Sequence, residues 1–192
     1  MSEEKSGVNE WVIGPIDLGN EEEVEAYEKA LYRGFPPPVR GEDPVRISDR
    51  VTKRTRSRVP YTNQLVFAAQ RSGKVYAACA INFGMDAQLQ LELRQFSVDK
   101  SKPAQCEVLH LFMLLDPAAG GPILRKLQAP MMAELKNRGI RRVYATCLER
   151  KMGPYQSLGF RVIDERESES EKWLLIEMEL DPSLPDQEPT AA

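Results

Sequence analysis

Cys106-Glu107-Val108-Leu109-His110-Leu111-Phe112-Met113-Leu114-Leu115 is an almost continuous apolar run. A strand with one solvated face alternates apolar and polar residues, whereas a strand covered on both faces does not need to. The run therefore predicts a central strand of a sheet with helices on both sides. It is too short for a membrane-spanning helix, which needs roughly 20 apolar residues in succession. Asp116-Pro117-Ala118-Ala119-Gly120-Gly121-Pro122 reads as the turn that ends it. Ile123, Leu124, Leu127, Met131 and Leu135 then recur at helical spacing up to Gly139, with a kink expected at Pro130, which lacks a backbone donor.

On the C-terminal side, Arg142–Cys147 reads as a strand, Pro154–Leu158 as a short helix, and Phe160–Asp164 with Lys172–Leu180 as a closing strand pair. On the N-terminal side, Leu65–Ala69 and Val75–Ile81 flank Arg71-Ser72-Gly73-Lys74, the pattern of a hairpin. Leu89–Val98 alternates at period two and predicts a half-buried strand carrying Leu89, Leu91 and Leu93 on one face. Trp11–Ile16 is a further strand. Asn20 caps a helix with Glu23 at its third position and Val24, Tyr27, Leu31 and Phe35 on one face, until Pro36-Pro37-Pro38 stops it. The connection over 36–63 is long enough that a short helix is expected inside it. One α/β domain over 10–180 follows, with polar segments 1–9 and 181–192 expected as flexible tails.

A net charge of −3 gives no general attraction for nucleic acid or an anionic membrane, so neither is expected as a partner. The N-terminus has no basic segment followed by an apolar one, so a cytoplasmic protein is expected. Cys79, Cys106 and Cys147 lie in apolar runs and read as small core residues. His110 is the single histidine, so no metal site is expected, and a core role is favoured for it. The cationic stretch Arg50–Arg58 reads as a solvated loop or as a contact for an anionic ligand.

The element order, together with Tyr155-Gln156-Ser157-Leu158-Gly159-Phe160 before Arg161-Val162, resembles the GNAT family of acyl-CoA-dependent N-acyltransferases. The resemblance implies a mixed central sheet of about seven strands with flanking helices. In it two central strands splay apart to admit acetyl-CoA or another acyl-CoA. It implies direct attack of a small-molecule or peptide amine on the thioester. Tyr155 would be the general acid, and Glu107 or Glu92 the base acting through water. The donor would lie along Phe112, Met113 and Leu114, where a main-chain N–H holds the oxyanion, and against Gly120, Gly121 and Ile123, where a helix start receives the pyrophosphate.

The chain departs from the family's Gln/Arg-x-x-Gly-x-Gly/Ala phosphate loop. Pro117, Ala118 or Ala119 stands in the first place, and Pro122 removes a donor. Two alternatives therefore stand beside the acyl-CoA reading. One is a donor carried on acyl carrier protein, because Glu92-Leu93-Arg94-Gln95-Phe96-Ser97-Val98-Asp99 is similar, with the spacing offset, to the Glu-x-x-Arg-Phe-x-Val-Asp stretch of N-acylhomoserine lactone synthases. The other is a non-catalytic GNAT-like module for ligand sensing or protein interaction. Exposed strand edges also make a homodimer an expectation.

Overall fold

The computed structural model describes residues 10–39, 42–168 and 171–180, so the expected tails lie outside the described residues. The strands are β1 (Val12–Pro15), β2 (Arg46–Asp49), β3 (Arg54–Ser57), β4 (Gln64–Arg71), β5 (Lys74–Asn82), β6 (Gln105–Met113), β7 (Arg142–Leu148), β8 (Arg161–Ser168) and β9 (Glu171–Glu179). The helices are α1 (Glu21–Gly34), α2 (Gln90–Leu93), α3 (Pro117–Asn137) and α4 (Met152–Ser157). A seven-stranded sheet has the order β1-β4-β5-β6-β7-β9-β8, and β2-β3 form a separate two-stranded sheet. Every neighbouring pair is antiparallel except β6 and β7, which are parallel.

Local chemistry explains the elements that the sequence made legible. Asn20 Oδ1 accepts from the N–H groups of Glu22 (3.0 Å) and Glu23 (3.4 Å), which starts α1. Glu23 reaches back to the N–H of Asp17 at 3.0 Å. The β4–β5 turn places Ser72 (φ 52°) and Gly73 (φ 69°) in the left-handed region that a tight two-residue hairpin demands. α3 packs Ile123, Leu127, Met131 and Leu135 on one face of the sheet, against Phe67, Cys79, Cys106, Val108 and Val143. α1 covers the other face with Tyr27, Ala30 and Leu31 against Val66, Ala78, Ala80 and Leu109. α3 stays helical through Pro122 and Pro130. No described helix is long and apolar enough to cross a membrane.

Several expectations need correction. Leu89–Val98 is not a strand. Glu107 Oε1 takes the N–H of Leu91 at 2.6 Å and its Oε2 takes that of Gln90 at 3.0 Å, so the segment turns into α2 and leaves the sheet. Leu89, Leu91 and Phe96 become a separate small core with Tyr144 and Leu175. The 36–63 connection holds the β2–β3 hairpin, and the short helix expected there is a single 3-10 turn at Tyr61–Asn63. The hairpin's Arg46-Ile47-Ser48-Asp49 and Arg54-Thr55-Arg56-Ser57 alternate at period two across a turn in which Asp49 Oδ1 accepts from Val51 (2.8 Å) and Thr52 (3.2 Å). α3 starts at Pro117, not at Ile123. α4 starts at Met152, with Pro154 in its first turn, where a missing donor costs nothing.

The hairpin is fastened to α1 by a buried carboxylate. Glu28 receives Arg54 Nε at 2.6 Å and the Tyr61 hydroxyl at 2.6 Å, and these bonds join α1, β3 and the turn before β4. Removing one partner from such a group leaves the others unpaired in a desolvated site. We expect Glu28→Ala to lower stability in urea denaturation by about 2–3 kcal/mol. A loss below about 0.5 kcal/mol, the size of an ordinary surface change, would show that the fastening contributes nothing.

Candidate active site

β6 and β7 run side by side only from Gln105↔Arg142 to Val108↔Ala145. Beyond that point β7 keeps its partner β9 as far as Leu148↔Trp173, while β6 keeps β5 as far as Ala77↔Met113. The two central strands therefore fork. A β-bulge marks the place: Ala80 opposes His110 and Ile81 opposes Val108, which leaves Leu109 as the extra residue.

The fork exposes one edge of β6. The N–H of Leu114 donates to Tyr76 O at 2.7 Å, on the β5 side. By the two-residue period of a strand, the Phe112 N–H points the same way, and those of Leu111 and Met113 point toward the side that β7 has left. Of the expected oxyanion stretch Phe112–Leu114, only Met113 thus turns its N–H to the fork. The Phe112 side chain lies on the α1 face, its ring centroid 6.1 Å from that of Phe35.

Tyr155 lies on the α3 face, packed edge-on against Phe160 with ring centroids 5.6 Å apart. Burial raises its phenol well above the ordinary value, and Cys147 on β7 and Cys79 on β5 add to the rise. Cys79 opposes Leu111 and Cys147 lies past the last β6–β7 pair, so the ring packs on the α3 face against a cluster that holds side chains from this end of the sheet. Among the described residues its hydroxyl has no hydrogen-bond partner, and it stays protonated at neutral pH.

Glu107 and Glu92 differ sharply. Glu107 is buried on β6, and burial pushes its pKa up to about 7 against hydrogen bonds from Leu91, Gln90 and Asn82. Three donors leave one of roughly four acceptor positions of the carboxylate open. Glu92, on α2 and not on a strand, pairs with Lys100 at 2.8 Å and accepts from the Leu89 N–H at 2.9 Å. Its burial is outweighed by these bonds, which hold its pKa below the ordinary value.

The α1–α2 face of the fork carries polar groups that sequence reading missed. Gln90 Nε2 donates to Leu109 O at 2.7 Å, while Gln90 Oε1 and both ring nitrogens of His110 are buried without a partner. His110 is in the core as expected, but its hydrogen-bonding capacity is unfilled. Burial first, then the charge of Arg46, lowers its pKa to about 3, so the ring is neutral. Arg94 stacks 3.5 Å from the Trp173 ring centroid, and among the described residues it has no ion pair. No sequence signal marked Gln90, and Arg94 stood out only within the stretch similar to the lactone synthases, because the reading of 89–98 as a strand hid the placement of both. Arg50–Arg58 covers the turn of the β2–β3 hairpin and the whole of β3, held to α1 through Arg54 and to Pro38 O through Arg50.

Gly120 and Gly121 lie inside the first turns of α3, not in a loop. A Cβ on Gly120 would stand 2.0 Å from Met113 Sδ, so this glycine makes room for the Met113 side chain. Ile123 is buried in the core beneath α3.

Glu107 makes a pH-dependent contribution to stability. Its folded pKa, about 7, lies above the ordinary 4.5, so between these values the folded state holds a proton that the unfolded state has lost. The stabilisation is present below pH 4.5 and is lost as pH rises through 7, a change of roughly 3 kcal/mol. Denaturation at a series of pH values should show wild type losing stability over this window relative to Glu107→Gln. Parallel curves would contradict a raised Glu107 pKa.

No family model and no curated protein matches the chain. Solved structures do match it. The CoA-dependent acyl-homoserine lactone synthase MesI is 12% identical with a TM-score of 0.66, over 89% of this chain and 90% of that one. The AHL synthase LasI is 11% identical with a TM-score of 0.66, over 90% and 91%. The ribosomal-protein-S18-alanine N-acetyltransferase of Escherichia coli is 15% identical with a TM-score of 0.55, over 92% and 99%. The chain therefore has the acyl-CoA N-acyltransferase fold of these structures, with its own seven-stranded sheet forked between β6 and β7.

Proposed function

We propose that the protein is an N-acyltransferase that moves an acetyl or longer acyl group from an acyl-CoA thioester to an amine. The observation that carries this reading is the fork itself: unpaired N–H groups of Leu111 and Met113 on one bank, with the unpartnered phenol of Tyr155 beside it. A pantetheine arm is extended and carries amides, so it pairs with an open strand edge as an added strand does. The thioester carbonyl then lies near a main-chain donor that stabilises the oxyanion formed on attack.

The amine reaches the carbonyl carbon from the α1–α2 face, where Glu107 is the base. A carboxyl with pKa about 7 is matched to proton transfer at neutral pH. The new C–N bond forms as the amine's proton passes to Glu107, directly or through water. The tetrahedral intermediate collapses, the C–S bond breaks with its electron pair on sulfur, and Tyr155 protonates the thiolate. Release of the Glu107 proton to solvent and reprotonation of the phenolate restore the enzyme. Glu92, tied to Lys100, supports the start of α2 and is assigned no proton transfer.

The enzyme reading is favoured over a binding module by what does not occupy the fork. Phe112 packs toward α1, Met113 packs against Gly120, and the basic hairpin sits on α1. Thiol release from acyl-CoA in the presence of a panel of amines tests the reading. We expect amine-dependent release, with Tyr155→Phe lowering kcat by about 100-fold, the usual scale of a lost general acid. Absence of amine-dependent release at every acyl chain length would overturn it.

A further inference from the structure

The start of α3 is where an anion would be expected, because the first four N–H groups of a helix have no partner within it and the dipole end is positive. In this chain the first turn is used up. Pro117 has no N–H. The N–H groups of Ala118 and Ala119 both donate to Asp116 Oδ1 at 3.0 Å. That of Gly120 donates to Asp116 O at 2.8 Å. The Gly120 bond is the ordinary first bond of a helix, so it is the Asp116 carboxylate that takes the two free N–H groups, of Ala118 and Ala119, which a phosphate would use, and it places its own negative charge on the dipole. A second observation concerns the first glycine: the space over Gly120 holds the Met113 side chain, while that over Gly121 is open. A third is compositional, since 116–124 contains no Lys or Arg, and Arg125 and Lys126 are the first cations of the helix.

Resting on the acyl-thioester reading above, we infer that Asp116 is a specificity residue that removes the diphosphate anchor, so that the donor is selected by its acyl-pantetheine arm and not by its nucleotide. The consequence is unusual for a cleft of this shape. The adenosine diphosphate half of an acyl-CoA contributes nothing to its recognition, and any thioester with the same arm is an equal donor.

Calorimetric titration of the full chain with CoA and with pantetheine, alongside kcat/KM for acyl-CoA and for S-acyl pantetheine of the same acyl chain, tests the inference. We expect each pair to agree within threefold, and Asp116→Gly, which frees the Ala118 and Ala119 donors, to shift the ratio at least fivefold toward CoA. Asp116→Asn, which keeps the cap and removes the charge, should shift it less. Wild-type preference for CoA by tenfold or more overturns the inference and leaves the acyltransferase reading standing. Equal binding with no N-acylated product overturns that reading and leaves the inference standing. Failure of both ligands to bind overturns both. If Asp116→Gly does not fold, the wild-type comparison alone decides.

Discussion

The carboxylate of Glu107 holds the first two N–H groups of α2, and much of the region around the fork depends on that contact. It draws 89–98 out of the sheet, so this segment packs as a helix start over Tyr144 of β7 and Leu175 of β9 and adds no strand. The same contact positions Gln90, whose amide takes the Leu109 carbonyl at the bulge. That carbonyl sits where pairing between β6 and β7 stops, so a side chain supplies a bond the neighbouring strand no longer makes. Burying an ionisable group to do this is costly, and the raised pKa of Glu107 expresses that cost.

Two faces of one fork then acquire different chemistry. The α3 face is apolar, lined by the core cluster around Cys79, Cys147 and Phe160, and it holds the Tyr155 phenol, kept neutral by burial. The α1–α2 face gathers Glu107, Gln90, His110 and Arg94, with hydrogen-bonding capacity left unfilled at Gln90 and His110. A thioester suits the first environment and a polar amine suits the second. The two titratable groups, Tyr155 and Glu107, lie on opposite sides of the sheet, which is how the proposed mechanism separates acid from base.

Much of this was legible in the sequence, and the misreadings have physical causes. The apolar run of β6 and the helical spacing of Ile123, Leu127, Met131 and Leu135 report burial directly, which is why the central strand and its covering helix are read correctly. Leu89, Leu91 and Leu93 alternate as a strand would, but the partner that decides their conformation, Glu107, is far along the chain and leaves no local mark. The start of α3 did leave a mark. Asp116 followed by Pro117 is the pairing of a cap with a first-turn proline, and reading the two glycines as a turn concealed it. His110 was legible as buried, but the empty hydrogen-bonding positions around it emerge only when α1, α2 and β6 are brought together.

The proposed function requires the β6–β7 fork to receive an acyl-pantetheine arm. A crystal structure with a non-cleavable S-alkyl pantetheine thioether decides this. The arm is expected between Leu109–Met113 and Thr146–Leu148, its amide carbonyls accepting from the N–H groups of Leu111 and Met113 and its sulfur facing the Tyr155 hydroxyl. An arm bound elsewhere, or β6 and β7 paired beyond Val108 and Ala145 so that the fork is closed, would contradict it.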